Sequence, residues 1–210
     1  MNTGTKSGGA APAASGPQAQ PPRAAPSVRL ITPRSTGLLV GRNRERNVPL
    51  RGRLTKTAAS CCIARLLVLA AEGPALPIIT YVDSPGGNTS EALGIISTMD
   101  GIRCPIVTFC SGAVSGPALA IATHGLRGFR VAAPTARFSF KEFDPQNPMQ
   151  KTTGYGSLLS LLAQSIAADS RRSLAEVLQW FKSGVHFNSQ EALRNGLIDL
   201  VSTKPMLPKP

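Results

Sequence analysis

Short apolar runs alternate with segments of helical periodicity along the middle of the chain. The runs Asn47–Arg51, Ile78–Val82 and Ile106–Cys110 have the length of strands. The second of them is continuously apolar between a proline and a Gly-Gly pair, which predicts a strand buried on both faces. Helical spacing of apolar residues occupies 55–71 and 90–100. In the first of these segments it puts one apolar face inward, made of Ile63, Leu66, Leu67 and Ala70. Strands that alternate with helices predict parallel βαβ crossovers and therefore an α/β fold.

The second half of the chain continues this alternation. We expect a short helix over Ser115–Thr123, strands over Phe129–Ala132 and Ala136–Phe140, and a long amphipathic helix over Tyr155–Arg172. Because the apolar stripe of the long helix is wide, we expect a contact between subunits to bury it; the alternative is packing on the chain's own sheet. The stripe comprises Leu158, Leu161, Leu162 and Ile166.

The N-terminal third differs from the rest in composition and charge. Residues 1–27 are mainly Gly, Ala, Pro, Ser and Gln, so we expect a disordered arm that the domain does not need in order to fold. Residues 1–71 hold eleven Lys or Arg against Glu45 alone, within a formal net charge of +12. A solvated flexible arm is the favoured interpretation; an organellar leader or a basic arm for an acidic partner are the alternatives. We therefore divide the chain into the arm 1–27, a connecting segment 28–46, a domain 47–203 and a flexible tail 204–210.

The apolar residues and cysteines limit where the protein is expected to act. The longest apolar stretch, Leu66–Ala71, is too short to span a bilayer, and no secretory signal is recognised. The cysteines lack the spacing of a zinc site, so we expect buried thiols and a cytoplasmic protein, with organellar import through the basic leader as the alternative. They are Cys61, Cys62, Cys104 and Cys110.

Three segments, in this order along the chain, resemble the proteolytic subunit of the Clp protease. They are Ser84-Pro85-Gly86-Gly87, the stretch from Gly125-x-x-Gly128-x-Arg130 to Pro134-x-x-Arg137, and Glu191-Ala192-x-x-x-Gly196-Leu197-Ile198-Asp199. The resemblance covers residues 47–201. It implies a ClpP/crotonase-like fold of stacked βαβ units, with the helix after residue 154 as a handle through which two rings face each other.

The resemblance also implies where the catalytic groups of the family should lie. The nucleophilic serine falls on Gly116, the histidine on Lys141 and the aspartate near Gly184. The oxyanion-hole equivalents are Gly87 and Pro117, and proline has no N–H to donate. Loss of one such donor typically lowers the rate by roughly two to three orders of magnitude. The sequence therefore predicts a catalytically inactive homologue, a pseudoprotease that serves as a structural or regulatory ring subunit.

One alternative keeps an active site. A one-residue slip would place Ser115 at the helix start, with Gly116 as oxyanion donor and Lys141 as base, as in Ser-Lys hydrolases. One residue rotates a helical position by about 100°, so we favour Ser115 as a helix N-cap. We expect His124, at a helix C-terminus, and His186, in a short strand, to be structural.

The resemblance further implies partners but no cofactor or metal. Expected partners are the chain itself, active sister subunits, or both, and an AAA+ unfoldase that alone uses ATP. Membrane binding is not expected, and neither is nucleic-acid binding, because no aromatic residues are interleaved with the basic ones. An acyl-binding crotonase-fold protein is a third interpretation of the same Gly-rich turns.

Overall fold

The computed structural model describes residues 46–140 and 155–208, together with Met1 and Gly4. All helices and strands lie in a unit that runs from Asn43 to Pro210; of the unit Met1–Arg42, only Met1 and Gly4 are described. Apart from Met1 and Gly4, the predicted disordered arm therefore lies outside the described residues, and so does Lys141. The elements are β1 (Asn47–Arg51), α1 (Lys56–Glu72), β2 (Ile78–Ser84), α2 (Thr89–Gly101), β3 (Ile106–Ser115), α3 (Pro117–Thr123), β4 (Arg130–Ala132), β5 (Arg137–Ser139), α4 (Tyr155–Ser170), α5 (Leu174–Ser183), β6 (His186–Asn188), α6 (Ser189–Arg194) and β7 (Leu200–Val201).

A parallel sheet in the order β1-β2-β3-β4-β7 forms the centre of the domain. Beyond it, β5 pairs in parallel with the end of β3, and β6 pairs with β5 in the antiparallel direction. The predicted α/β fold with parallel crossovers is confirmed. No helix among the described residues is long and apolar enough to cross a bilayer.

Strand β3 is five residues longer than its apolar run predicts. Its first half pairs with β4 through Thr108–Cys110, and its second half pairs with β5 through Ala113–Ser115. A register shift against β2 between Val82 and Ser84 separates the two halves. Because β5 supplies the hydrogen bonds for the second half, the strand continues through Gly112, where the local sequence indicates a turn.

Burial along β2 alternates, contrary to the prediction of a strand buried on both faces. Ile78, Thr80 and Val82 are buried, whereas Ile79 and Tyr81 are only partly buried. The Tyr81 ring meets Phe109 of β3 edge to face, with ring centroids 5.5 Å apart. Helices therefore cover one face of this strand, and the described residues cover the other face only in part.

The buried face of α1 is rotated relative to the predicted one. The prediction put Leu67 inward, but it is exposed, while Leu66 and Leu69 are buried. Cys61 is exposed as well, which corrects the expectation of four buried thiols, and Cys62 is buried. Burial raises the pKa of the Cys110 thiol to about 12, so this cysteine stays protonated in the core.

The stripe on α4 divides between the core and the surface. Leu162 and Ile166 are buried in the chain's own hydrophobic core, so the expectation that they line a subunit contact is wrong. Leu161 is exposed and Leu158 is partly buried. The helix packs on α2, α3 and α5 and ends at Ser170, two residues before the predicted end.

Two neighbouring leucines of α4 give a matched test of this packing. Leu162 is 1% exposed and Leu161 is 50% exposed. We expect Leu162→Glu to lower the free energy of unfolding by about 3 kcal/mol or more, because it puts an unpaired charge in the core. Leu161→Glu should change it by no more than about 0.5 kcal/mol. Urea unfolding followed by circular dichroism measures both, and equal losses would contradict this packing.

Candidate functional site

The turn after β2 lies between two other parts of the main chain. The Leu54 N–H donates to the Gly86 carbonyl over 2.9 Å, and Gly87 forms an isolated parallel bridge with Leu54. A Cβ atom on Gly86 would lie 2.7 Å from the Ser115 carbonyl oxygen, and one on Gly87 would collide with the main chain of Leu54. Only glycine fits both positions, as expected where backbone segments approach this closely.

The N–H of Gly87 precedes the first turn of α2. Among the described residues it donates no hydrogen bond, whereas the next N–H, of Asn88, donates to the Leu54 carbonyl over 2.9 Å. Asn88 is the N-cap of α2, and its side chain accepts from the Ser90 N–H. The positive end of the helix dipole favours developing negative charge beside such a donor. This geometry suits the predicted role of Gly87 as an oxyanion donor.

Gly116 forms a sharp elbow between β3 and α3. Its φ of 54° and ψ of −126° lie in a region that side-chain-bearing residues rarely adopt. Its N–H donates to the Ser139 carbonyl over 3.1 Å, and a Cβ atom added to it would meet none of the described residues within 4 Å. A strained strand-to-helix turn of this kind presents the nucleophile in many hydrolases. Here the elbow residue is a glycine and carries no side chain.

Pro117 takes the first position of α3, directly after the elbow. Its ring has no N–H, and its Cδ would lie 3.1 Å from a Cβ on Gly86. The residue predicted to complete an oxyanion hole with Gly87 therefore cannot donate. In this turn the site retains one of the two main-chain donors that such a hole requires.

Ser115 lies in a strand, so the prediction that it caps α3 is wrong. It is the last residue of β3 and pairs with Ser139 of β5, while Gly116 serves as the N-cap without a side-chain hydrogen bond. The positive φ of Gly116 turns the chain one residue later than predicted. The Ser115-Lys141 alternative needs the Gly116 N–H as oxyanion donor, but that N–H is already bonded to Ser139. Lys141 lies outside the described residues.

Gly184 ends α5 and leads into β6. It is the C-cap, with φ 64° and ψ 36°, and in the described part of the chain a Cβ there would meet nothing within 4 Å. The next residue, Val185, accepts from the Phe140 N–H over 2.8 Å, and His186 pairs with Ser139. Strand β5 therefore lies beside both the Gly116 elbow and the segment that follows Gly184. Two of the three predicted triad positions, Gly116 and Gly184, therefore lie near β5. Neither of them carries a functional side chain.

An ion pair joins two of the sequence segments that carry the family resemblance. The guanidinium of Arg130 bonds both carboxylate oxygens of Asp199, which also accepts the N–H groups of Gly128 and Arg130. Burial alone would raise the pKa of Asp199, but the hydrogen bonds and charge of Arg130 hold it below its usual value. These residues hold β4 beside the segment that enters β7, which is a structural role.

His124 has partners that the sequence analysis missed. It caps the C-terminus of α3, as predicted, and its two ring nitrogens bond Asp100 and Asp169. Neither carboxylate is near it in sequence, so no local pattern could have found them. His186 is exposed on β6. No cluster of metal-binding side chains occurs in the described part of the chain.

The strain at the elbow can be measured with two glycines at which an added Cβ would contact no atom of the residues that the structure describes. We expect Gly116→Ala to lower the free energy of unfolding by about 1–3 kcal/mol, because alanine is strained at this φ and ψ. Gly156→Ala, in α4, should raise it by up to about 1 kcal/mol. Thermal and urea unfolding measure both variants. Effects of the same sign would contradict the strained elbow.

Comparisons with known proteins agree with this architecture. The family model described as Clp protease matches residues 37–205. The crystal structure of the ClpP protease catalytic domain from Plasmodium falciparum is similar, with a TM-score of 0.69 and 26% sequence identity over 79% of this chain and 88% of that chain. The residues that the family model matches include the elbow, the Gly-Gly turn and the β5–β6 pair described above. This chain belongs to the Clp protease family.

Proposed function

We propose that this chain is a subunit of a Clp-type proteolytic assembly that does not itself cleave peptide bonds. The observation that carries the proposal is the Gly116 elbow, which has the backbone of a nucleophile position and no side chain. Family membership supplies the setting, since Clp proteolytic subunits form rings that work with unfoldases.

Acyl transfer needs a nucleophile, a base beside it and donors for the oxyanion. At the positions that resemble those of the family, the chain has Gly116, Lys141 and Gly184. Without a nucleophile, the residual catalysis of such sites comes from the oxyanion hole and from binding, at roughly 10³–10⁴ over water. Pro117 removes one donor from that hole, which costs roughly a further 10²–10³.

The main chain of the site is nevertheless kept. Gly86 and Gly87 hold the turn against Leu54 and Ser115, and β5 lies beside the elbow. A subunit that contributes only to the structure of a ring needs this main-chain geometry but not the catalytic triad. Its contribution would be to shape the chamber or the surface that receives an unfoldase, in assemblies with itself or with active sister subunits.

The test combines assembly and activity on the same preparation. The chain is isolated untagged from its own cells with its partners, sized by native mass spectrometry, and then purified alone and assayed on fluorogenic peptides. We expect a multimer in the first step, and in the second step hydrolysis no faster than that of the matched Ser115→Ala variant.

Two results would overturn the proposal. Hydrolysis by the wild-type chain that disappears in Ser115→Ala would establish an active serine and refute the inactive site. A monodisperse monomer at micromolar concentration, both alone and in the preparation from cells, would refute the ring subunit.

A further inference from the structure

Three helices meet at His124. The ring Nε2 lies 2.8 Å from Oδ1 of Asp100, near the end of α2, and Nδ1 lies 3.0 Å from Oδ2 of Asp169, near the end of α4. His124 itself is the C-cap of α3. A neutral imidazole has one N–H and one acceptor nitrogen, whereas the imidazolium has two N–H groups. Two ionised carboxylates, one on each nitrogen, therefore require the protonated ring.

The helix dipoles also favour a protonated His124. Asp100 and Asp169 lie at the C-terminal ends of their helices, where negative charge is unfavourable. None of α2, α3 and α4 has a basic residue in its last turn. The His124 cation therefore offsets the two carboxylates and the negative end of α2. At the ends of α3 and α4 it acts together with Arg127 and Arg130, which donate to main-chain carbonyls there.

We propose that protonated His124 is a pH-sensitive latch that ties α2 and α4 to the end of α3, and that loss of its proton loosens α4. The latch is the set Asp100, His124 and Asp169. It lies at the end of α3 opposite the Gly116 elbow and does not depend on the proposed function.

The two carboxylates would respond differently to deprotonation. The Asp100 side chain is 67% exposed and can turn into water, whereas that of Asp169 is 24% exposed. The main-chain carbonyl of Asp169 stays bound, because Arg127 donates to it over 2.8 Å and Arg130 over 2.9 Å. Among the described residues, its carboxylate forms an ion pair with His124. Loss of the proton therefore destabilises the Asp169 carboxylate on α4 more than the Asp100 carboxylate on α2.

The latch can titrate without unfolding. An open cavity of about 330 Å³ reaches the imidazole, so solvent can exchange the proton in the folded protein. The charged and titratable groups of the surrounding elements are Asp100 of α2, Arg103 and Cys104 before β3, Arg127 and Arg130 after α3, and Asp169 of α4. Arg103 is exposed, and its positive charge is the one on the cavity wall that opposes the imidazolium.

The pH range follows from the direction of the shift. The hydrogen bond to Asp169 raises the pKa of His124 to about 9, against the effect of burial and with the help of Asp100. A group whose pKa is higher in the folded state stabilises that state fully below its unfolded pKa, here about 6.5. This contribution then declines and is lost as the pH rises through about 9. The latch is closed at neutral pH and opens in alkali.

Nuclear magnetic resonance of the imidazole protons tests the latch directly, because the chain has two histidines. His186→Gln assigns the signals and is the matched control. We expect the His124 signal to titrate with a midpoint near pH 9. Asp169→Asn should lower that midpoint more than Asp100→Asn, since the Asp169 bond contributes most. A His124 midpoint near pH 6.5, or a larger effect of Asp100→Asn, would overturn the proposal.

Urea unfolding at pH 6.5 and 9.5 tests the stability of the folded chain. Relative to His124→Gln, the wild type should lose about a further hundredfold in its folding equilibrium constant between the two pH values. His186→Gln should keep the wild-type dependence. Equal pH dependence of the wild type and His124→Gln would refute the latch. If His124→Gln does not fold, the titration of the His124 imidazole in the wild-type chain still tests the proposed latch.

Discussion

The close packing of main chain around the turn after β2 determines the geometry of the site. Gly86 touches the Ser115 carbonyl, and Gly87 touches Leu54, so the turn joins the start of α1 to the end of β3 at one point. A side chain on either glycine would push these segments apart. Because interiors are densely packed, the shift would spread to the strands on both sides. The Gly87 N–H and the Gly116 elbow hold their places through this contact.

The backbone geometry of the site and its side chains differ in what they could contribute to catalysis. The strand order, the elbow and one main-chain donor are those of a serine hydrolase framework, while the elbow residue has no side chain and the next residue has no N–H. A side chain at the elbow would cost about 1–3 kcal/mol in strain. An enzyme tolerates that cost because catalysis needs it. With Gly116 the strain is absent.

Local patterns predicted the elements that depend on local physics. The strand Asn47–Arg51 was predicted with its observed bounds. Errors occurred where distant residues decide. The second half of β3 exists because β5 pairs with it, and Leu162 is buried because α4 packs on other helices.

The candidate site was predictable in part for the same reason. The family resemblance located Gly116, Pro117 and Gly87 at the turn where the structure has them. The sequence did not show that the Gly116 N–H bonds Ser139, because that contact crosses from β3 to β5. The same holds for His124, whose two partners lie 24 and 45 residues away.

The central claim is that the elbow presents no nucleophile. Intact-mass spectrometry of the purified chain after treatment with a fluorophosphonate measures this most directly, since the reagent adds one phosphonyl group to an activated serine. We predict an unchanged mass for the wild-type chain. A mass increase of one phosphonyl group, mapped to Ser115 and absent from Ser115→Ala, would contradict the claim.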